Sequence, residues 1–379
     1  MNVSFLTSGH LPYDDRIFYH MAKTLSAKGH NVEIVSSKTA LTESTDEISI
    51  NCFDGDSLSK RNKTGLFYEQ LKRFCPDIII CPEPLPVLAA QRYRRKNHSR
   101  TNIIYDITEW YPSAKNLANY KSPLRWIISV KLFLFNFIAS SFVDGFIFGE
   151  WYKSRPYRLV FPFKPYTFIT YYPDLSYIRS NAPSMTREKL KLIYSGKISM
   201  EKGFGNFIRV VTGLSDMYKD LGIDVKIIGW YESDKDKKAC EPLLKINRKN
   251  ITLSVPGRLA FSDYIDQIKE ADIFLDLRKQ VFENQHSLPI KLFYYAALGR
   301  PVIFSDLKSI RRDVDIEKFG FLVAPDRTDR IIEIITGYLK NRDLYFEHCH
   351  NALSLAEEKY NWKNINLEFL KFINSFSPR

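Results

Sequence analysis

Cysteine is scarce in this sequence, and its cysteines form no recognisable pairs. Five occur in 379 residues, without a Cys-x-x-Cys spacing, at Cys52, Cys75, Cys81, Cys240 and Cys349. Their odd number and scattered positions argue against a disulfide framework and a structural zinc site, and fit a reducing compartment. Residues 1–16, MNVSFLTSGHLPYDDR, also lack a basic segment followed by an apolar run, so we expect no secretory signal and a cytoplasmic location.

A long apolar run without polar interruptions is also missing. The most apolar stretch, residues 126–148, contains Lys131, Asn136 and Asp144, which are costly to bury in lipid. We therefore predict a buried helix followed by a strand that begins near Val143. A membrane-spanning helix is the alternative.

Charge of one sign is in only mild excess, with a formal net charge of +12 spread over both halves of the chain. Two basic stretches stand out, RYRRKNHSR at residues 92–100 and WYKSRPYRLVFPFKPY at residues 151–166. Basic residues among aromatics suit an anionic membrane surface, which predicts peripheral attachment at the inner face of the cell membrane. A solvated helix end and a solvated loop are the alternatives. Nucleic acid is not expected as a partner, because no nucleic-acid-binding motif accompanies them.

Short apolar strands alternate with helical patterns along the chain. Isoleucine-rich runs such as DIIIC at residues 77–81 are typical of parallel strands covered on both faces. A chain of 379 residues exceeds one ordinary core, and the polar residues 174–187 interrupt the alternation as a linker would. We predict an α/β fold with two doubly wound Rossmann-like domains, residues 1–175 and 188–358, facing a central cleft.

Ligands of open parallel sheets bind beyond the carboxyl ends of the strands. At the end of the first predicted strand, Gly9 lets the backbone approach a ligand closely. Gly196 and Lys197 follow a later strand, and Lys202 precedes a helix. Two cations beside a helix N-terminus suit a phosphate, and solvated lysines are the alternative.

A second anion site is predicted in SLPIKLFYYAALGRPVIFSD, residues 287–306. Ser287 is interpreted as a helix N-cap and Pro289 as a residue of the first turn, where its missing N–H is not needed. The free amides and the positive end of the helix dipole would then face the cleft. The anion-binding segment is therefore predicted to be Ser287, Leu288, Pro289 and Ile290.

These motifs resemble those of the GT-B-fold glycosyltransferases, in the large retaining group numbered family 4, also called glycosyl transferases group 1. YSGKISMEKG resembles the family's Gly-Arg-x-Lys-Gly element, and SLPIKLFYYAALGRPVI resembles its Leu-Pro-x-Lys-Leu-Phe-Glu-Tyr and Ala-x-Gly-x-Pro-Val signature. The resemblance covers essentially the whole chain. It implies that Lys197 and Lys202 contact the diphosphate of a nucleotide-sugar donor, and that a C-terminal helix within residues 359–379 returns to the first domain.

Two positions depart from the family pattern. Tyr294 replaces the glutamate that binds the ribose hydroxyls, and a phenol offers fewer acceptor sites than a carboxylate. Thr108 replaces the histidine of a Tyr-Asp-x-His-Glu-x-Tyr-Pro element, in which Glu109 is kept. Tyr294 is expected near the cleft-facing edge if Pro289 faces the cleft, and Tyr295 in the core. Glu109 and His286 are the candidate catalytic residues, with a solvated loop histidine as the alternative for His286.

The resemblance implies a hexosyltransferase that moves a sugar from a nucleotide-sugar to a growing glycan or lipid-linked acceptor, in cell-surface polysaccharide synthesis and with retention of configuration. We expect no cofactor and no metal ion, because Lys197, Lys202 and the helix start would stabilise the departing diphosphate. The Asp-x-Asp at Asp313–Asp315 is interpreted as a salt-bridged surface. A non-catalytic GT-B-shaped subunit that binds a partner or glycan is the main alternative, and a nucleotide-sugar epimerase is a second.

Overall fold

The computed structural model describes residues 1–113, 117 and 120–376. The chain divides into two compact units. One consists of Met1–Tyr171 and Trp362–Arg379, and the other of Tyr172–Asn361. The first junction lies just before the polar residues 174–187, and the second lies directly before the last helix, which therefore belongs to the first unit.

The first unit is built on an eight-stranded sheet with the order β3-β4-β2-β1-β5-β6-β7-β8. β3 is antiparallel to β4, and the other pairs are parallel. The strands are β1 (Asn2–Thr7), β2 (Asn31–Ser36), β3 (Lys38–Thr45), β4 (Ile48–Asp54), β5 (Ile78–Cys81), β6 (Asn102–Ile107), β7 (Gly145–Phe148) and β8 (Tyr166–Phe168).

Helices cover both faces of this sheet. A π-helical segment, Asp15–Ala22, runs into α1, and Asp14 caps it by accepting from the N–H groups of Arg16 and Ile17. The other helices are α2 (Lys60–Phe74), α3 (Pro84–Lys96), α4 (Leu124–Ser141) and α5 (Trp151–Val160), with α1 at Lys23–Ser26. Two apolar clusters result, one on each face, as a doubly wound sheet requires.

The second unit is built on a six-stranded, fully parallel sheet with the order β11-β10-β9-β12-β13-β14. Its strands are β9 (Lys189–Lys197), β10 (Gly222–Trp230), β11 (Ile251–Ser254), β12 (Ile273–Asp276), β13 (Val302–Ser305) and β14 (Gly320–Val323). Its helices are α6 (Phe204–Met217), α7 (Asp234–Cys240), α8 (Phe261–Ile268), α9 (Phe282–Gln285), α10 (Ile290–Ala297), α11 (Lys308–Asp313), α12 (Thr328–Lys340) and α13 (Arg342–Glu358). The predicted pair of doubly wound α/β folds is confirmed.

The last helix, α14 (Trp362–Asn374), is tied to the first unit by its aromatic start. The indole N–H of Trp362 donates to Thr24 Oγ1 at 2.7 Å, and its ring stacks on His20 with centroids 5.0 Å apart. Phe369 and Ile373 are fully buried in the same apolar cluster as β1. The chain therefore completes the first unit with a segment far away in sequence.

The apolar stretch of residues 126–148 forms α4 and β7, but the prediction of a buried helix is wrong. Only 17% of the α4 residues are buried, and the mean hydropathy of the helix is 1.3. Within the described residues, α4 is the one helix whose length and composition would allow it to cross a membrane. Of the three interrupting residues, Asp144 binds Arg94 at 2.6 Å, and Lys131 is exposed.

Asn136, the third, is fully buried and faces inward from α4. Its side-chain oxygen accepts from Tyr105 at 2.9 Å, and its amide donates to the hydroxyl of Tyr157 at 2.7 Å. This polar contact fixes which face of α4 meets the sheet, because a buried amide must find its partners.

Replacing Asn136 with alanine is expected to lower the free energy of unfolding of the first unit by about 2–3 kcal/mol, because two buried phenols lose their partner. The matched control is Asn62→Ala, which removes an exposed amide from α2. Denaturant unfolding of both variants measures the difference. Equal stabilities for the two variants would contradict this role of Asn136.

Candidate functional site

The loop that follows β9 is held in a fixed shape by Tyr194. Its buried hydroxyl lies 2.7 Å from the carbonyl oxygen of Lys197 and 3.3 Å from that of Lys202. The hydroxyl of Ser199 accepts from the N–H of Lys202 at 3.1 Å. These contacts bring the two ends of the loop together at the carboxyl edge of the second sheet, where ligands of such sheets bind.

Two glycines make this edge possible. Gly196 has φ +96°, and a Cβ atom there would lie 2.6 Å from Nζ of Lys291. Gly203 has φ +84°, and a Cβ atom there would lie 2.1 Å from the carbonyl oxygen of Leu277. Both need the left-handed backbone that glycine adopts easily. The first lets a cation lie against the strand end, and the second lets α6 start against β12.

Lys291 is the central cation of the site. It extends from the first turn of α10, and its ammonium donates to the carbonyl oxygen of Ser195. Burial and the positive charges of Arg278 and Lys202 lower the pKa of Lys291 to about 8, against the opposing effect of Asp276. Lys291 is the lysine of the Pro-x-Lys sequence at residues 289–291, but the sequence analysis did not predict it as a site residue.

The surrounding charges leave an excess of positive charge at this edge. Arg278 and Asp276 form a buried pair beyond β12, with Nε 2.7 Å from Oδ1, so they largely neutralise each other. Lys202 donates to Asn284 Oδ1 at 2.8 Å and lies 3.2 Å from Glu201, which is partly exposed. Lys291, and Lys202 with its solvent-screened pair to Glu201, are two cations at this edge that an anionic ligand can approach.

Lys197 pairs with a carboxylate of the chain itself. Its ammonium binds Glu232 at 2.9 Å, and both side chains are about one third exposed. Gly196, Lys202 and Lys291 lie together at the end of β9, while Lys197, the last residue of that strand, directs its ammonium to Glu232. A surface ion pair of this kind is weak, because solvent screens it.

The structure corrects the predicted start of this helix, because the N-cap is Pro289 and not Ser287. Pro289, with ψ 119°, occupies the N-cap, and α10 begins at Ile290. Ser287 does not cap the helix; its carbonyl oxygen accepts from the hydroxyl of Ser309 at 2.8 Å. Leu288 and Pro289 are buried, and Ile290 is exposed. Of the predicted anion-binding segment 287–290, Ile290 is thus the one residue that is exposed.

The two adjacent tyrosines are both buried. Tyr295 stacks on Phe274 with centroids 3.8 Å apart, and its hydroxyl lies 2.9 Å from Ser195 Oγ, so it packs in the core as expected. Tyr294 is only 4% exposed, and its ring meets Phe261 edge-on. Tyr294 therefore lies in the same buried apolar cluster as Tyr295.

His286 follows α9 and is half-buried. Its Nδ1 lies 2.8 Å from the carbonyl oxygen of Phe282, and its ring lies against the Phe282 ring, with centroids 4.4 Å apart. The imidazole is thus oriented by the short helix that precedes α10.

The carboxyl edge of the first sheet carries a separate polar group. Glu83, after β5, accepts from the N–H groups of Ser8 at 2.9 Å and Gly9 at 3.0 Å. Gly9 therefore allows close approach by a carboxylate of this chain itself, since a Cβ atom there would lie 2.6 Å from Glu83 Oε1. Burial lowers the pKa of His10, but Asp14, Glu83 and Glu109 outweigh this and raise it to about 9.

Glu109 lies in the loop after β6 and is exposed. The preceding Asp106 accepts two hydrogen bonds of 2.7 and 2.8 Å from Arg16. Both side chains are buried, so this ion pair belongs to the interior of the first unit. Glu109 is therefore the open carboxylate of this loop, close enough to His10 to favour its charged form. Glu83 was missed by the sequence interpretation, although CPEP directly after an apolar strand could have indicated it.

A metal centre finds no support in the described parts of the chain. Within residues 1–113, 117 and 120–376, no three His, Cys, Asp or Glu side chains lie close enough to hold an ion. In the Asp-x-Asp sequence, Asp315 binds Lys359 at 2.8 Å, and Asp313 lies 3.9 Å from Arg312. Both aspartates thus belong to a salt-bridged surface.

Comparison with known proteins confirms the resemblance seen in the motifs. Residues 189–341 match the family model described as Glycosyl transferases group 1, which covers β9 to α12 and the whole cationic edge. A search of curated protein sequences found no match.

Solved structures resemble the chain over nearly its full length. Sucrose-phosphate synthase from Thermosynechococcus elongatus has a TM-score of 0.75 at 12% identity, covering 99% of this chain and 98% of its own. HepE of Anabaena, in complex with UDP-glucose, has 0.71 at 13%, covering 99% and 100%. The catalytic domain of starch synthase IV from Arabidopsis thaliana, bound to ADP and acarbose, has 0.69 at 13%, covering 99% of both chains. At these identities the likeness shows the fold, which is GT-B.

The lowered pKa of Lys291 predicts a pH-dependent stability. In the unfolded chain this lysine titrates near ~10.4, so between about pH 8 and 10 the unfolded state binds more protons and stability rises with pH. Below pH 8 the unfavourable effect of burying the charge is fully present, at most about 3 kcal/mol. Lys291→Met should lack this rise, and Lys249→Met, at an exposed position, should keep it. Denaturant unfolding at several pH values tests this; parallel curves for parent and Lys291→Met would contradict it.

Proposed function

We propose that this chain, which has the GT-B fold and a glycosyl transferases group 1 match over residues 189–341, transfers a sugar from a nucleotide-sugar donor to an acceptor. The observation that carries the proposal is the pair of cations, Lys202 and Lys291, at the carboxyl edge of the second sheet. A nucleoside diphosphate is the anionic group whose binding such a pair favours.

The cations act on the leaving group. When the bond between sugar and diphosphate breaks, negative charge grows on the diphosphate, and preorganised positive groups stabilise that charge without reorganisation. Lys291 is fixed against the carbonyl oxygen of Ser195, and Lys202 is oriented by Asn284. Binding a dianion would raise the pKa of Lys291 from about 8, so the lysine would be fully charged when the donor is present.

The finer features of the reaction belong to the same proposal. The sugar is a hexose transferred with retention of configuration, as the family resemblance implies. The reaction needs no metal ion or cofactor, because side chains of this protein supply the positive charge. HepE was solved with UDP-glucose and starch synthase IV with ADP, so uridine and adenine nucleotides are the first donors to test.

The first unit is proposed to bind the acceptor, a growing glycan or lipid-linked sugar of cell-surface polysaccharide synthesis. Its sheet edge offers the charged His10 and the exposed carboxylate of Glu109. Sugar hydroxyls donate to carboxylates and accept from charged imidazoles, so this pair suits a carbohydrate. Glu109 is the proposed catalytic group on the acceptor side and His286 the one on the donor side.

A non-catalytic GT-B subunit is the alternative, and two observations favour it. Tyr294 replaces a carboxylate, and its side chain is buried with its ring edge-on to Phe261. Thr108 replaces a histidine, and its carbonyl oxygen accepts from Lys153 and Tyr171 within the first unit. Under this alternative the chain would bind a glycan or partner without turnover.

Lys202→Ala and Lys291→Met are each expected to weaken donor binding by roughly 10- to 150-fold, because each removes a charged contact worth about 1.5–3 kcal/mol. Lys197→Ala should have a smaller effect, since Glu232 already holds that lysine. Lys249→Ala, which removes an exposed charge of the same unit, is the control. Calorimetric titration with UDP-, GDP-, ADP- and dTDP-sugars measures the affinities.

Each outcome of that titration selects one account. Binding of one nucleotide class, with transfer detected by NMR of the product's anomeric proton, supports the proposed enzyme. Binding without transfer to any glycan supports the non-catalytic subunit. If no class binds the folded parent, the donor site is wrong and only the fold remains.

A further inference from the structure

Helix α4 buries polar side chains and exposes apolar ones, which is the reverse of a typical helix on the surface of a soluble protein. Its polar residues Asn136 and Ser140 are fully buried against the sheet. Its apolar side chains point away from the protein, with Trp126 72% and Ile138 55% exposed. The exposed apolar residues of this helix are Leu124, Trp126, Ile127, Val130, Phe133, Leu134 and Ile138. Burying this many large apolar groups elsewhere is strongly favourable, and such a face marks an interaction surface.

The end of α5 continues the same surface. The Phe137 ring stacks on Tyr157 and Phe161, with centroids 5.4 and 6.1 Å away. The ammonium of Lys164 donates to carbonyl oxygens at the end of α4, including that of Ser141 at 2.7 Å. The tip of α5 thus lies beside α4, and it exposes three more apolar side chains. We call the ten exposed residues the apolar patch: the seven of α4, with Leu159 and Val160 of α5 and Phe163 just after it.

The stretch of sequence that forms the apolar patch and its borders is predominantly basic. Between residues 113 and 171 the sequence has eight Lys or Arg residues and two acidic ones. Those two are already engaged, Asp144 with Arg94 and Glu150 with Lys153. Arg125 and Lys131 on α4 are exposed, and neither has an ion-pair partner among the residues that the structure describes. A surface that is apolar with a basic border complements an anionic lipid membrane.

We propose that the apolar patch docks this protein onto an anionic membrane, with α4 lying along the boundary between headgroups and acyl chains. Its 18 residues give a helix of about 27 Å, and Trp126 and Phe163 enter the interface while Arg125 and Lys131 contact the headgroups. The proposal rests on the first unit alone and does not depend on the donor site.

An interfacial position fits α4 better than a spanning one. A spanning helix would withdraw Asn136 from Tyr105 and Tyr157 and expose it to lipid, where unpaired polar groups are costly. β7 begins only four residues after α4 ends, and its four residues are buried in the sheet. The hydrogen bonds of Asn136 and the short connection to β7 thus hold α4 on the first unit.

The proposed membrane surface differs from the one expected from the sequence, because it includes α4 and does not use the basic residues 92–100. Within residues 92–100, Arg94 is used by Asp144 and by the carbonyl oxygen of Phe142, while Arg92 and Lys96 lie over the Tyr68 ring at 5.2 and 5.7 Å. Of residues 151–166, the end of α5 and the turn after it belong to the proposed membrane surface. Helix α4 supplies most of the apolar area of that surface.

Vesicle co-sedimentation tests this proposal with the intact protein. The parent should bind vesicles containing roughly one third phosphatidylglycerol, and bind pure phosphatidylcholine vesicles at least about tenfold more weakly. Trp126→Gln combined with Phe163→Ser should reduce binding to the anionic vesicles by about tenfold or more. The control is Phe346→Ser combined with Leu367→Gln, which removes exposed apolar groups elsewhere. Arg125→Gln with Lys131→Gln should weaken only anionic binding, and Lys72→Gln with Arg73→Gln, at the end of α2, should not.

Several results would overturn the proposal. They are no vesicle binding by the parent, equal loss in the patch variant and its control, or resistance of bound protein to alkaline extraction, which would indicate a spanning helix. Light scattering that shows a dimer lost in the patch variant, without vesicle binding, would assign the face to a second copy of the chain. Circular dichroism of every variant verifies that its fold is intact.

Discussion

The ammonium of Lys291 against the end of β9 is the contact on which the candidate donor site depends. It requires glycine at position 196, because any side chain there would meet the ammonium. It uses the carbonyl oxygen of Ser195, whose hydroxyl is in turn 2.9 Å from that of Tyr295 in the core. Strand end, glycine and helix α10 are thus fixed together, and the cation is held in a partly dehydrated place.

This arrangement explains why the charge of Lys291 is available to a ligand. A surface lysine would be paired and screened, as Lys197 is with Glu232. Burial lowers the pKa of Lys291, and Asp276, which Arg278 already binds, offsets only part of this lowering. The resulting pKa is about 8. A diphosphate would supply the missing negative charge, so binding and protonation of this lysine should be coupled.

The fold could be predicted from the sequence because continuous apolar strands and interspersed helices leave few architectures. The site could be predicted only in part. Gly196 was predicted from its place at a strand end and Lys202 from its place before a helix, whereas the contacts of Lys197 with Glu232 and of Lys291 with Ser195 depend on side-chain directions that spacing does not give. Likewise Gly9 indicated a close approach, but the approaching group is Glu83, distant in sequence.

Helix α4 shows a second limit of sequence interpretation. Hydropathy correctly indicated an apolar helix, but an apolar helix in a protein interior and one at a lipid surface have the same composition. The deciding residue is Asn136, whose bonds to Tyr105 and Tyr157 turn the polar stripe inward. Those partners come from β6 and α5, so no local pattern could identify them.

Chemical labelling of lysines tests the account most directly. With its pKa near 8, Lys291 should react with an amine-specific acylating reagent at neutral pH faster than ordinary lysines, because more of it is neutral. Mass spectrometry should show that the bound nucleoside diphosphate protects Lys202 and Lys291 and leaves Lys249 and Lys226 unchanged. Nucleotide binding that protects neither Lys202 nor Lys291 would contradict the proposed donor site.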